Sequence, residues 1–153
     1  MTQKQKDLLL KDLCARLPYG VKGLVTFNGN PSIPQIQEDR TIDGKLYDRF
    51  AKFQDSWYDN VTIKPYLFPL SSMTEGQRIE LYKALSLGYE SHYHLSKEWE
   101  DFNNSIDNND LFIPASWVSD LNKMYNYLNK NHFDYRELIH IGLAIDATGL
   151  NIY

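Results

Sequence analysis

The stretch IKPYLFPLSSMTE, residues 63–75, separates two kinds of sequence pattern. Before it, short runs of β-branched and aromatic residues are typical of strands, and after it apolar residues recur at helical spacing. Pro65 predicts the end of a short strand, and the apolar residues that follow predict an extended connector. Ser72 and Glu75 match the S-x-x-E capping box, so we expect a helix that continues to Leu87. The stretch therefore predicts a sheet followed by helices.

Toward the N-terminus, residues 4–16 are predicted to form a helix, because Leu10, Leu13 and Leu17 share one helical face. Cys14 lies on the same face. We therefore expect it to be a small buried side chain in the core rather than a reactive thiol. Since the sequence contains one cysteine, it predicts no internal disulfide.

Two strands are predicted after this helix. Residues 21–27 are rich in β-branched and aromatic side chains, and residues 33–42 form a more polar run in which Pro34 indicates an edge position. The turn-forming residues 28–31 lie between the two runs. These patterns predict a strand pair with its more polar member at the edge of the sheet.

The Asp-Gly pair at residues 43–44 predicts a type I′ hairpin turn, because both central residues of that turn need positive φ. Residues 45–53 would then be the third strand. Leu46, Phe50 and Phe53 also fit helical spacing, but we favour a strand because the turn prepares strand pairing. The predicted fold class is α+β, with an N-terminal helix, a small antiparallel (SH3-like) sheet and C-terminal helices.

The C-terminal half is predicted to be mainly helical. Helices are expected over residues 90–104, after Ser116 and over residues 133–142, where Asp134 is a suitable N-cap. The asparagine-rich residues 103–110 predict a flexible loop. A strand over residues 143–147 and a frayed C-terminal tail complete the prediction.

The composition is that of a globular domain, since 42% of the 153 residues are hydrophobic and 24% are charged. We expect a single domain over 1–153, in which 1–70 form the helix and small sheet and 71–153 the helical part, with a variable insertion at 89–111. Residues 1–70 carry 10 Lys and Arg against 8 Asp and Glu, whereas residues 71–153 carry 6 against 12. Either ordinary scatter of surface charge or a bipolar molecule explains this asymmetry.

Several classes of protein are disfavoured. The net charge of −4 provides no global basic field for nucleic acid. No apolar stretch approaches the roughly 20 residues that cross a bilayer, and the first residues lack a secretory signal pattern. The motifs of nucleotide-binding loops, zinc proteases and nucleophile elbows are absent. We therefore expect a cytoplasmic protein with no membrane partner, no enzymatic activity and no cofactor.

Histidines supply the few candidates for catalysis or metal binding. His92 and His94 lie two residues apart, but a metal site needs further ligands, and we expect none. Glu137 and His140 would share a helical face near His132, which is the geometry of an acid–base pair. Helix capping and surface pairing are the favoured interpretation, so we predict no catalytic residues.

Aromatic residues are the candidates for binding a partner. We expect Trp57, Tyr58 and Trp99 to contribute, because Tyr and Trp are enriched at protein–protein interfaces. We also expect Trp57 and Tyr58 to be more exposed than average. The alternative is nucleic-acid binding, in which aromatic rings of the sheet half stack on bases. Carboxylates among the cations of that half disfavour phosphate binding; they belong to Asp39, Asp43, Asp48, Asp55 and Asp59.

Three segments of the chain are distinctive: DLCARLPYGVK at residues 12–22, IKPYLFPLSSMTE at 63–75, and HFDYRELI at 132–139 followed by GLA. Together they resemble a family of small uncharacterised proteins encoded by gut anaerobic bacteria, their phages and their mobile elements. The chain departs from that family at Glu137, where glycine is frequent, and in its insertion at 89–111. The resemblance implies a mobile-element accessory protein and brings no catalytic residues.

We therefore predict a non-enzymatic phage or mobile-element accessory protein that acts by protein–protein interaction. A host defence system is the conjectured target, and the partner is an unidentified host or phage protein. A nucleic-acid-binding accessory protein that uses the sheet half is the alternative.

Overall fold

The computed structural model describes residues 1–28, 36–52, 60–85, 97–113 and 121–153. They form two compact units, which we call the sheet unit (residues 1–67 and 138–153) and the helical unit (residues 68–137). The chain thus returns to the sheet unit after residue 137, whereas the sequence pattern placed everything after residue 70 in the helical part. The α+β class is confirmed.

In the sheet unit, the described residues form two α-helices and four strands. They are α1 (Gln3–Arg16), β1 (Lys22–Asn28), β2 (Ile36–Thr41), α2 (Gly44–Lys52), β3 (Asn60–Leu67) and β4 (Ile145–Asp146). The strand order is β2-β1-β3-β4; β1 is antiparallel to β2 and β3, whereas β4 is parallel to β3. The sheet is therefore mixed, and the expectation of a purely antiparallel sheet is wrong. An SH3-like closure stays a prediction.

Helix α1 confirms the first predicted helix. Thr2 caps it through a capping box in which the Gln5 N–H donates to the Thr2 hydroxyl and the Thr2 N–H donates to the Gln5 side chain. Leu9 and Leu13 are buried in the core of the sheet unit. Cys14, however, is exposed, so its predicted burial is wrong: it lies beside the apolar stripe rather than within it.

Helix α2 replaces the predicted hairpin and third strand. The Asp43 carboxylate accepts a hydrogen bond from the Leu46 N–H at 2.8 Å, which is the N-cap interaction that begins a helix. Phe50 is then buried in the core, with Leu46 packed against it. The Asp-Gly pair therefore caps a helix instead of turning a hairpin, and the helical spacing was the correct signal.

Strand β3 continues through Pro65, so the predicted end of the strand at this proline is wrong. Gly23 of β1 lies opposite Pro65. A Cβ atom on Gly23 would be 2.7 Å from the Lys64 carbonyl oxygen and 3.0 Å from the Pro65 Cα. The absence of a side chain on Gly23 thus allows the two strands to approach closely where β3 contains a proline.

The described residues of the helical unit form three α-helices, α3 (Glu75–Leu85), α4 (Lys97–Asp107) and α5 (Leu121–Lys130), and a short 3₁₀ turn at Leu70–Ser72. Their apolar sides form one core with an aromatic component. Its fully buried members include Leu81, Leu85, Phe102, Ile106 and Leu128.

The capping box of α3 lies two residues later than predicted. The Thr74 N–H donates to the Gln77 side chain at 2.9 Å, and the Gln77 N–H donates to the Thr74 hydroxyl at 3.3 Å. The hydroxyl of Ser72 donates instead to the Pro69 carbonyl at 2.7 Å. The sequence contains two overlapping S/T-x-x-E/Q patterns, Ser72–Glu75 and Thr74–Gln77, and the second forms the capping box.

The asparagine-rich segment after Phe102 is mostly helix, so the predicted flexible loop is wrong over its first residues. Helix α4 reaches Asp107 and ends with Asn109 at a φ of 57°. The Asn109 N–H donates to Ile106 and the Asp110 N–H donates to Ser105, which is a Schellman closure. Asparagine is suited to this end because its side chain tolerates the left-handed region.

No helix begins at Asp134 within the described residues. Instead, the Phe68 N–H donates to the His132 carbonyl at 3.0 Å and the Asp134 N–H donates to the Phe68 carbonyl at 2.8 Å. Phe68 and Phe133 thereby form a parallel bridge inside the helical unit. Turns follow, so the predicted helix over 133–142 is wrong, because the backbone at its expected start bonds to Phe68 instead.

The predicted strand over 143–147 is observed in shorter form as β4. The predicted fraying of the tail is wrong, because Tyr153 is held at the sheet. Its hydroxyl donates to the Tyr66 carbonyl at 2.8 Å and accepts from the Lys22 N–H at 3.1 Å. The Lys22 ammonium also donates to the Ile152 carbonyl.

Candidate functional site

Of the three residues predicted to bind a partner, Trp99 lies within the described part of the chain. Trp57 and Tyr58 lie outside the described residues, as do His92 and His94. Trp99 is half-buried on α4, where its ring is 5.8 Å from the Tyr82 ring in an edge-on arrangement and 5.5 Å from the Phe102 ring. Trp99 therefore serves the core of the helical unit as well as its surface.

The acid–base alternative loses its structural basis. His132 is buried just after α5 with a φ of 59°, whereas Glu137 and His140 are exposed. The helix that would have aligned Glu137 with His140 is not formed. Within the ranges that the structure describes, no cluster of three or more His, Cys, Asp or Glu residues has the arrangement of a metal site.

A cleft of about 430 Å³ lies at the C-terminal end of β2. Three cationic side chains and one carboxylate line it, together with one hydroxyl and one leucine. We call this surface the basic cleft; it consists of Arg40, Thr41, Asp43, Lys45, Leu46 and Arg49.

The secondary structure explains how the basic cleft is assembled. Arg40 comes from β2, and Lys45 and Arg49 come from α2. Because Lys45 and Arg49 are four residues apart on a helix, their side chains leave the same side of α2. The Asp43 cap fixes where α2 begins and therefore where both cations lie.

Phe27 of β1 organises two of these cations. The Arg40 guanidinium lies 5.6 Å from the centre of the Phe27 ring, and the Arg49 guanidinium lies 5.5 Å from it. Cations at this distance are attracted by the ring quadrupole. The ring thus holds two positive charges near each other and limits the conformations of two long side chains.

The carboxylates near the basic cleft are engaged within the sheet unit. The Asp43 carboxylate caps α2, and a Glu38 oxygen lies 2.6 Å from the Arg40 Nε. Asp39 accepts a 2.5 Å hydrogen bond from the Tyr66 hydroxyl, and this bond raises the pKa of Tyr66 to about 12, with burial adding to the shift. Asp43 and Asp39 thus have hydrogen-bond donors within the sheet unit, whereas Glu38 pairs with Arg40 of the cleft itself.

The sequence pattern alone does not single out the basic cleft. Arg40, Lys45 and Arg49 are three of the 10 Lys and Arg in residues 1–70, and no motif connects them. The signal that identifies the site is the helical spacing of Leu46 and Phe50. A helix at this position places Lys45 and Arg49 on one side, whereas a strand separates them.

Exposed Cys14 is not part of the basic cleft. Burial, followed by the influence of the nearby Cys14 thiol, raises the pKa of Tyr47. Helices α1 and α2 contact each other within the sheet unit.

Comparison with known proteins adds no family to these observations: no family model, curated protein or solved structure matches the chain. In the part of the chain that the structure describes, every helix is too short or too polar to cross a membrane.

Proposed function

We propose that the protein is a non-enzymatic interaction protein that binds an acidic group of a partner protein in the basic cleft. The observation that supports it is that the Arg40 and Arg49 guanidinium groups both lie within about 6 Å of the centre of the Phe27 ring, with Lys45 lining the same cleft. Restricted guanidinium groups lose less conformational freedom when they bind a carboxylate.

The residue types in the cleft favour recognition of carboxylates. Arginine presents a planar fork of donors that matches a carboxylate in two parallel hydrogen bonds. Arginine and aromatic residues are also enriched among the residues that dominate binding energy at protein interfaces. Lys45 adds a third donor group without a preferred direction.

The biological context of the proposal rests on the sequence resemblance. It makes the protein a cytoplasmic accessory of a phage or mobile element, with a host or phage protein as partner and a host defence system as the target. Trp57, Tyr58 and Trp99 remain candidates for the wider contact surface of that partner.

Nucleic-acid binding through the sheet unit is the second candidate. The arginine–phenylalanine stack favours it, because planar cations and rings also stack on bases. The charge of the sheet unit disfavours it, since its 10 Lys and Arg face 9 Asp and Glu.

Affinity capture with matched charge variants tests the proposal. The cleft variant carries Arg40→Gln, Lys45→Gln and Arg49→Gln. A control variant with the same loss of charge carries Lys4→Gln, Lys11→Gln and Lys64→Gln, which are exposed positions of the sheet unit. Thermal unfolding establishes that both variants are folded.

We expect a nuclease-treated lysate of the host to yield a protein that the wild type and the control variant retain and the cleft variant loses. Equal retention by all three proteins would contradict the proposal. If the partner is captured from an untreated lysate but not from a nuclease-treated one, the result would favour the nucleic-acid alternative.

A further inference from the structure

Strand β2 is the edge of the sheet as the structure describes it. It pairs with β1 on one side, and no described strand pairs with its other side. The Ile42 N–H donates to the Val21 carbonyl at 2.8 Å, which continues the register in which Thr41 lies opposite Lys22.

This bond establishes which backbone groups of β2 point away from β1. Hydrogen-bonded and non-hydrogen-bonded pairs alternate along an antiparallel ladder. Since Ile42 bonds to β1, so do Arg40 and Glu38 at every second position. Gln37, Asp39 and Thr41 therefore direct their N–H and C=O groups to the outer edge.

Both faces of β2 are accessible. Glu38 is half-buried, and the other five residues of the strand are exposed. Ile36 is 52% exposed, which is a large apolar surface for an edge strand. A strand added at the outer edge would therefore cover Ile36 without displacing packed side chains.

The outer edge of β2 has an apolar residue, Ile36, near one end and the basic cleft near the other. Ile36 and Arg40 lie on the same face of β2, four residues and about 13 Å apart at ordinary strand spacing. An extended segment beside β2 would place one side chain next to exposed Ile36. A side chain further along the same segment would face Arg40, Lys45 and Arg49.

From this juxtaposition we infer that the outer edge of β2 pairs with an extended segment of a partner protein that carries an apolar residue opposite Ile36 and carboxylates at the basic cleft. The inference rests on the proposed function and deepens it. Outward N–H and C=O groups at strand spacing match another peptide backbone, and a nucleic acid lacks that repeating pattern.

Peptide binding tests the inference directly. The probe is a fluorescent ten-residue peptide in which Val and Thr alternate, with Glu at the last three positions. A second peptide has Gln in place of Glu, and a third has N-methyl groups on alternate residues, which block strand pairing. A single-stranded oligonucleotide of equal charge is the fourth probe.

Protein variants separate backbone pairing from charge. Gln37→Pro removes one outward N–H and leaves the bonds to β1 intact, because edge strands tolerate proline at such a position. Gln37→Ala is its matched control. We expect Gln37→Pro to weaken binding of the acidic peptide about tenfold and Gln37→Ala to change it less than about twofold.

The remaining outcomes also decide the question. Loss of binding on N-methylation and weaker binding of the Gln peptide support the inference. No binding of the acidic peptide at about 1 mM, unchanged binding by Gln37→Pro, or tighter binding of the oligonucleotide would overturn it. So would a concentration-dependent dimer of the protein that Gln37→Pro dissociates, since a second copy would then occupy the edge.

These outcomes are distinct from those of the proposed function. If a captured partner depends on the basic cleft but not on Gln37, cleft binding stands and strand pairing fails. If the captured partner is indifferent to the cleft variant, both fail.

Discussion

The sheet unit and the helical unit both contain an ion pair between arginine and aspartate, but the surroundings of the carboxylate differ. In the sheet unit, the Arg16 Nε lies 2.8 Å from Asp12 and both side chains are completely buried. In the helical unit, the largely buried Arg78 guanidinium contacts Asp107, whose side chain is 58% exposed. Removal of the arginine therefore leaves a desolvated carboxylate in the first pair and a solvated one in the second.

Both units depend on contacts between residues that are remote in sequence. In the sheet unit, Tyr153 bonds to Lys22 and Tyr66. In the helical unit, Phe68 bonds to His132 and Asp134, although α4 and α5 end in local Schellman closures at Asn109 and His132. Substitutions in the candidate site therefore test fold and function together, and each needs a measurement of stability.

The largest expected effect is the removal of one partner from the buried ion pair. Arg16→Met leaves the Asp12 carboxylate buried without its guanidinium, and we expect the free energy of unfolding to fall by about 3–5 kcal/mol. Arg78→Met in the helical unit is the corresponding change; it removes hydrogen bonds to Met73 and Asn103 but leaves Asp107 in contact with solvent, so we expect a smaller loss of about 1–2 kcal/mol. Urea unfolding of both variants measures the difference.

A double variant sharpens this prediction. Asp12→Leu combined with Arg16→Met removes both charges, so we expect it to be more stable than Arg16→Met alone. Similar losses for Arg16→Met and Arg78→Met would show that burial does not distinguish the two pairs.

A pair of glycine substitutions gives opposite signs in the two units. Gly23→Ala would place a Cβ 2.7 Å from a backbone oxygen of β3, and we expect a loss of about 1–3 kcal/mol. Gly76→Ala lies in the first turn of α3, where the nearest atom is 4.0 Å away, and should gain up to about 1 kcal/mol. Thermal unfolding measures both, and a tolerated Gly23→Ala would refute the close approach of β1 and β3.

Sequence reasoning succeeded where one signal dominated. The existence of α1, the β-branched run of β1 and the α+β class all followed from local sequence patterns, although the predicted face of α1 was wrong at Cys14. It failed where two local signals competed within a few residues. The Asp-Gly pair before Lys45 is compatible with a hairpin or a helix cap, and only the burial of Phe50 selects the helix.

Other features have no local signal at all. The docking of Tyr153 depends on backbone groups more than 80 residues away. The basic cleft depends on Phe27, which lies in a different strand from Arg40 and in a different element from Arg49. Such arrangements follow from packing between elements, which periodicity and spacing do not encode.

Alkaline pH distinguishes two tyrosines with raised pKa values. A hydrogen bond to Asp39 raises the pKa of Tyr66 to about 12 in the sheet unit, whereas in the helical unit burial is the main cause for Tyr127, followed by Glu80. A phenol whose pKa is raised by folding stabilises the protein fully below pH 10 and loses that contribution as pH rises toward the folded-state value.

We therefore expect the wild type to lose about 1 kcal/mol of stability between pH 10 and pH 11 through Tyr66 alone. Tyr66→Phe should reduce this decline, and Asp39→Asn should reduce it similarly because it removes the main cause. In the helical unit, Glu80→Gln should reduce the loss of stability due to Tyr127 by less than Asp39→Asn reduces the loss due to Tyr66. The reason is that burial, the main cause of the raised pKa of Tyr127, remains in the Glu80→Gln variant. Urea unfolding across this pH range measures these slopes, and equal effects of the two carboxylate variants would contradict the assignment of causes.

The smallest expected effect concerns backbone conformation. Glu137 in the helical unit has a φ of 58°, close to the 74° of Gly142 in the sheet unit. A side chain in this region is strained, so Glu137→Gly should stabilise the protein by about 0.5–1 kcal/mol after the greater entropy of glycine in the unfolded chain is included. Glu137→Ala keeps the Cβ and should change stability little. If calorimetry shows equal stability for both variants, the strain at Glu137 is not relieved by glycine.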